Sequence, residues 1–203
     1  MLRSITLLRP RLCVAATTLA CLVAPASHAA IYNFDANLNG PSESPANASP
    51  GTGFGTVDYD SLLHTMHLHL TFSGLLGTTT ASHIHSATLN PFSGTAGVAT
   101  TTPTFAGFPL GVTSGTYDNT LDLTQSSSWN PSFITANGGT TATAESALAS
   151  SMLAGTAYWN VHTTSFSGGE IRGFLLLVPE PSAVALVALG GVGAFGWLRR
   201  RSS

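Results

Sequence analysis

The chain predicts an all-β fold: an antiparallel Greek-key sandwich or barrel flanked by two hydrophobic terminal helices. Two observations carry the β prediction. Apolar and polar residues alternate with period two through the middle of the chain, and Gly-, Pro- and Ser-rich turns separate seven or eight such runs. The flanking helices are predicted from an apolar run with basic residues at each end of the chain.

Residues 31–38 alternate as a first strand, and the Pro- and Ser-rich stretch 39–53 reads as a loop. A strand over 53–59 follows, with Asp60-Ser61 opening a turn. The next strand is the clearest, with Met66, Leu68, Leu70 and Phe72 on one side and Thr65, His67, His69 and Thr71 on the other. Residues 79–86 form another strand, containing His83-Ile84-His85. Residues 90–115 are rich in Gly, Thr and Pro and hold at most one short strand near Val98. Residues 115–123 read as a strand with Tyr117 and Leu121 inward, and 128–143 as a long loop. The one helix predicted inside the domain covers 144–152. Strands over 156–163 and 170–177 close the domain.

The ends carry addresses. Arg3, Arg9 and Arg11 precede an apolar stretch, 12–24, and Ser27-His28-Ala29 offers small residues at a cleavage site. Residues 1–29 therefore read as a signal peptide exported through the secretion translocon. At the other end, Pro179-Glu180-Pro181 precedes an apolar run over 183–198 and then Arg199-Arg200-Arg201. The run has 16 residues, about 24 Å of helix, at the short edge of a bilayer span. It tolerates four glycines, as membrane helices do, and its basic end marks the cytoplasmic side.

This tail, residues 178–203, resembles the PEP-CTERM sorting signal of Gram-negative, exopolysaccharide-producing bacteria. The resemblance implies recognition and removal by an exosortase-type enzyme at Pro179, Glu180 and Pro181. It further implies transient residence in the inner membrane, then release to the cell surface or a biofilm matrix.

Trimming both ends changes the chemistry of what remains. Both cysteines, Cys13 and Cys21, lie in the leader, so the domain over 30–177 has no disulfide, thiolate nucleophile or Cys-ligated metal. From 31 to 178 one arginine, Arg172, stands against eight carboxylates, a formal net charge of −7. Such a surface excludes nucleic acid as a partner. No Gly-x-Ser-x-Gly elbow is present, which counts against a serine hydrolase.

The last hairpin turns on Gly168-Gly169. Symmetry about Phe166 pairs Asn160 with Arg172 and His162 with Glu170, placing these four on one face and Trp159, Val161 and Ile171 on the other. Two readings of the polar face follow. Arg172 and Glu170 form an ion pair that pins the hairpin, or Arg172 clamps an anion or substrate.

The histidines also admit two readings. On a strand, residues i and i+2 point the same way, so His83 and His85, with His162 across the fold, could hold copper or zinc. Glu43 is a weaker fourth ligand. Alternatively these are hydrogen-bonded structural histidines. His67 and His69, opposite the apolar stripe, read as exposed.

Several segments together resemble the CHRD domain, found in chordin and in many bacterial secreted proteins. They are Asn39-Gly40-Pro41-Ser42-Glu43, Gly53-Phe54-Gly55-Thr56-Val57, Ala81-Ser82-His83-Ile84-His85, Tyr158-Trp159-Asn160-Val161-His162-Thr163 and Gly168-Gly169-Glu170-Ile171-Arg172-Gly173. The resemblance implies an immunoglobulin-like barrel akin to copper/zinc superoxide dismutase, and no enzymatic activity. It marks Glu43, His83, His85, Asn160, His162, Glu170 and Arg172 as its recurrent polar positions. Three functions are consistent with the sequence. The first is a non-catalytic surface or matrix domain without cofactor. The others are a dismutase-like copper or zinc protein and a module that binds exopolysaccharide or a surface protein.

Overall fold

The computed structural model describes residues 31–179. The predicted terminal helices, and Glu180 and Pro181 of the sorting motif, lie outside the described residues. Among the described residues no helix is long and apolar enough to cross a membrane.

Eight antiparallel strands form one curled sheet: β1 (Ile31–Asn39), β2 (Thr52–Asp60), β3 (Thr65–Ser73), β4 (Thr79–His85), β5 (Gly115–Asp122), β6 (Tyr158–Thr163), β7 (Ile171–Phe174) and β8 (Leu176–Leu177). Their order is β4-β6-β7-β1-β2-β3-β5, with β8 also paired to β1. The β1–β2–β3 meander is local, and β7 returns from far along the chain to lie beside β1. The all-β expectation holds.

The alternation read from the sequence is the alternation of burial. Met66, Leu68, Leu70 and Phe72 of β3 are buried, as are Phe34, Ala36 and Leu38 of β1 and Tyr117 and Leu121 of β5. Trp159 lies at the centre, fully buried, with its indole N–H donated to Ser82 Oγ at 2.8 Å. Gly55 makes room for it, since a Cβ there would stand 3.0 Å from the indole ring. Truncating Trp159 to Ala would cost about 3–5 kcal/mol.

The long segment between β4 and β5 has a structural task. An open strand edge exposes unpaired amides and carbonyls. This segment satisfies the free edge of β4: Phe105 N–H donates to Ser82 O, Ala99 N–H to Ile84 O, and Gly111 N–H to Thr79 O. Near Val98 there is one isolated bridge, to His85, rather than a strand.

Two helices replace the single short one expected. α1 (Pro131–Ala136) lies where a loop was predicted. Asn130 caps it and Pro131 occupies its first turn, a start signal for a helix too short to show periodicity. α2 (Thr141–Leu153) is longer than expected because Thr140 and Thr143 build a capping box one turn upstream. Its buried Glu145 accepts from Tyr59 Oη at 2.8 Å and pairs with His64 Nδ1 at 2.9 Å, tying the helix to the sheet.

Candidate functional site

The register of β4, β6 and β7 assembles the site. His83 pairs with Asn160, His85 with Tyr158, and Ala81 with His162. Asn160 pairs in turn with Arg172, as symmetry about Phe166 requires. His83, His85, Tyr158, Asn160, His162 and Arg172 therefore share one face. Ile84, Trp159, Val161 and Ile171 point into the core from the other.

Loops cover this second face, so its polar groups are buried. The ring centroids of His83 and His162 are 4.7 Å apart, and those of His83 and His85 4.8 Å. The three histidines each offer a ligand nitrogen, all within 4.8 Å of one another. That spacing puts each nitrogen within about 2.8 Å of a common point, against the 2.0–2.1 Å of a metal–imidazole bond. His83 Nδ1, His85 Nε2 and His162 Nε2 are buried with no hydrogen-bond partner.

The opposite ring nitrogens of two of them are fixed. His85 Nδ1 donates to Ala96 O and His162 Nδ1 to Ser167 O, each at 2.8 Å. A carbonyl only accepts, so the proton sits on Nδ1 and the lone pair on Nε2. Metal-bound histidines are oriented by this kind of outer hydrogen bond. Burial pushes the His83 ring down to about 3, with the neighbouring His85 and His162 adding to the effect. Burial takes His85 to about 4 and lowers His162 as well. All three rings are therefore neutral at physiological pH, the form that ligates metals.

Beside the histidines, Arg172 is locked in place. Its Nε donates to Ser42 O and its Nη1 to Gly94 O at 2.8 Å. The guanidinium lies 4.7 Å over the Tyr158 ring, which itself stacks on His85. Its carboxylate neighbour is Glu43, at 3.9 Å. Burial raises the Glu43 carboxyl to about 7 even though Arg172 pulls the other way. Asn160 Nδ2 donates to Glu43 Oε1 at 3.3 Å. Gly169, at φ 132°, packs so closely here that a Cβ would sit 2.5 Å from Asn160 Nδ2.

Two expectations are corrected. Glu170 does not pair with Arg172. Its carboxylate turns away and accepts from Ser49 Oγ (2.6 Å), Thr163 Oγ1 (2.7 Å), Leu76 N (2.6 Å) and Gly77 N (3.1 Å). Four donors in a closed pocket outbid one distant guanidinium. Burial opposes its charge, yet these donors together hold it below the usual carboxylate range. Glu43 is not part of the ligand group, because Asn160 and Arg172 hold it aside. His67 and His69 stand on the exposed face, where both meet Asp118.

The carbonyls of Ala96, Ser167, Ser42 and Gly94 escaped the sequence reading. Backbone acceptors carry no side-chain signal. The path of three loops places them: the one carrying Gly94 and Ala96, whose N–H at Ala96 reaches Tyr158 Oη at 3.2 Å, the turn ending at Ser42, and the β6–β7 loop carrying Ser167.

Fold and site together define a β-domain whose second face is a covered polar layer centred on a neutral imidazole cluster. The chain belongs to the CHRD domain family, which matches residues 34–175. Residues 177–201 match the PEP-CTERM protein-sorting motif, so the protein is secreted and carries an exosortase-processed, membrane-anchor-type tail. No curated protein and no solved structure matches the chain.

Proposed function

We propose that the mature domain is a non-catalytic surface or matrix module that holds one copper or zinc ion on His83, His85 and His162. One observation carries this reading: three clustered histidines, whose ligand nitrogens lie within 4.8 Å of one another, each keep a buried ring nitrogen with no partner. A buried polar atom left unpaired costs about 1–3 kcal/mol, and a shared metal would satisfy all three at once. An all-imidazole set favours copper or zinc over magnesium or calcium. The outer hydrogen bonds of His85 and His162 leave their lone pairs aimed at the ion. Arg172 is spent on two carbonyls and Glu43, which favours holding an ion over steering an anion to it. The sorting tail supports a destination at the cell surface or in a matrix of exopolysaccharide and surface proteins.

Equilibrium dialysis of the mature, chelator-stripped chain tests this. One equivalent of zinc or copper should be retained against excess magnesium and calcium, with superoxide consumed no faster than by the metal-free chain. Retention of no metal would sink the binding claim. Turnover abolished by His162→Ala would sink the non-catalytic one.

A further inference from the structure

The end of the sheet from which the sorting tail departs exposes a set of large apolar side chains beside Asp60, Ser61, His64 and Asp122. The β1–β2 and β2–β3 registers place Ile31, Asp60 and Thr65 at this end. β8 brings Leu177 beside Phe34, and Val178 N–H donates to Asn33 O. The exposed apolar side chains here are Ile31, Leu62, Leu63, Leu177 and Val178; Leu63 is 67% exposed and Leu62 58%.

Leu62 and Leu63 lie outside the core. They form the tip of the β2–β3 hairpin, a place where Gly, Asn, Asp and Ser are favoured. The turn is made by Asp60, whose Oδ1 accepts from the amides of Leu62 and Leu63 at 2.8 and 2.9 Å. The two side chains are exposed at the end of the sheet where the chain leaves the domain.

The tail supplies the occupant. Among the described residues Val178 is the last hydrogen-bonded to the sheet, and the apolar run begins at Ala183. From Pro179 to Ala183 the chain spans at most about 14 Å. A tether this short imposes a high effective concentration, so a weak apolar patch suffices for docking.

We propose that, while the tail is in the membrane, this end of the domain rests on the bilayer. Ile31, Leu62, Leu63, Leu177 and Val178 enter the headgroup region and hold the Pro179-Glu180-Pro181 motif at the lipid surface for processing. The proposal rests on the tail being membrane-inserted, as its family match implies. Asp60 and Asp122 at the same end oppose anionic lipid, so the contact is apolar and independent of anionic headgroups. The histidine cluster lies level with Asn39, through Arg172 and Asn160. Along β1 that is about 26 Å from the docked end, in the aqueous phase.

The test uses the full chain, with Cys13→Ser and Cys21→Ser, in zwitterionic phosphatidylcholine vesicles. An environment-sensitive fluorophore is attached at Leu63→Cys or, as a control, at Leu76→Cys, an exposed site at the opposite end of β3. The label at 63 should be blue-shifted and quenched at least threefold more by lipid-borne quenchers than the label at 76. Adding anionic lipid should not strengthen the effect. Equal, water-like signals at both sites, with Trp197 of the tail quenched by lipid, would overturn the proposal and leave the tail's insertion intact. Trp197 unquenched would overturn both.

Discussion

The last hairpin contributes to two buried polar clusters, and they are built on opposite principles. Glu170 is fully buried and saturated: two hydroxyls and two amides surround its carboxylate. The histidine cluster is starved, with His83 Nδ1, His85 Nε2 and His162 Nε2 buried and unpaired. A saturated buried charge is a fastener, because its value lies in the contacts already made. A cluster left short of partners is a receptor, because the missing contacts define what it takes.

The sharpest way to break this contrast is at the fastener. Glu170→Ala orphans the donors that hold β7 to the 42–51 and 75–77 loops. Denaturant unfolding should show a loss of about 3 kcal/mol or more, which added zinc does not restore. A neutral result would mean that Glu170 is not the pin.

The receptor should behave inversely. His83→Ala should leave the metal-free chain folded but remove its stabilisation by metal. For the parent chain that stabilisation is about 2.7 kcal/mol at a hundredfold excess of zinc over the dissociation constant. A melting curve with and without zinc separates the two effects.

Both clusters weaken in acid, in different windows: Glu170, held below its ordinary 4.5, does so only below that value, and the histidines do so earlier. The three histidines are held neutral in the fold, while the unfolded chain takes up protons below about pH 6.5. Their contribution is therefore intact above that pH and is lost as pH falls toward about 4 and then 3. Glu43, raised to about 7, works in the opposite sense between its unfolded value of 4.5 and 7. Three groups outweigh one, so the metal-free chain should weaken between pH 6.5 and 4. Saturating zinc should push that loss to lower pH. A flat profile would contradict the burial of the rings.

The smallest effect belongs to Tyr158→Phe. The phenol lost touches Ala96 N, and Ala96 O orients His85. Stability should drop by about 1 kcal/mol and zinc affinity by less than tenfold, read by calorimetry.

Much of this contrast was legible in the sequence, and the part that was not is instructive. Period-two alternation located the strands, and the symmetry of the last hairpin about Phe166 gave the Asn160–Arg172 pairing. That His83 and His85 share a face followed from strand geometry, while the pairing of β4 with β6 that brings His162 to them did not. The direction of Glu170 did not follow, because three of its four partners, Ser49, Leu76 and Gly77, come from loops more than ninety residues away. Arg172's true carboxylate neighbour, Glu43, is equally remote. α1 was hidden because six residues are too few for a helical period, although Asn130-Pro131 was a readable start signal. Local order shows in the pattern of residues, and long-range polar partners do not.

Nitrogen-detected imidazole NMR of the mature chain, before and after one equivalent of zinc, tests the central claim most directly. The metal-free spectrum should show His85 and His162 protonated at Nδ1. Zinc should then shift His83 Nδ1, His85 Nε2 and His162 Nε2, leaving His64, His67 and His69 unchanged. Shifts confined to the exposed His67 and His69 would contradict the account.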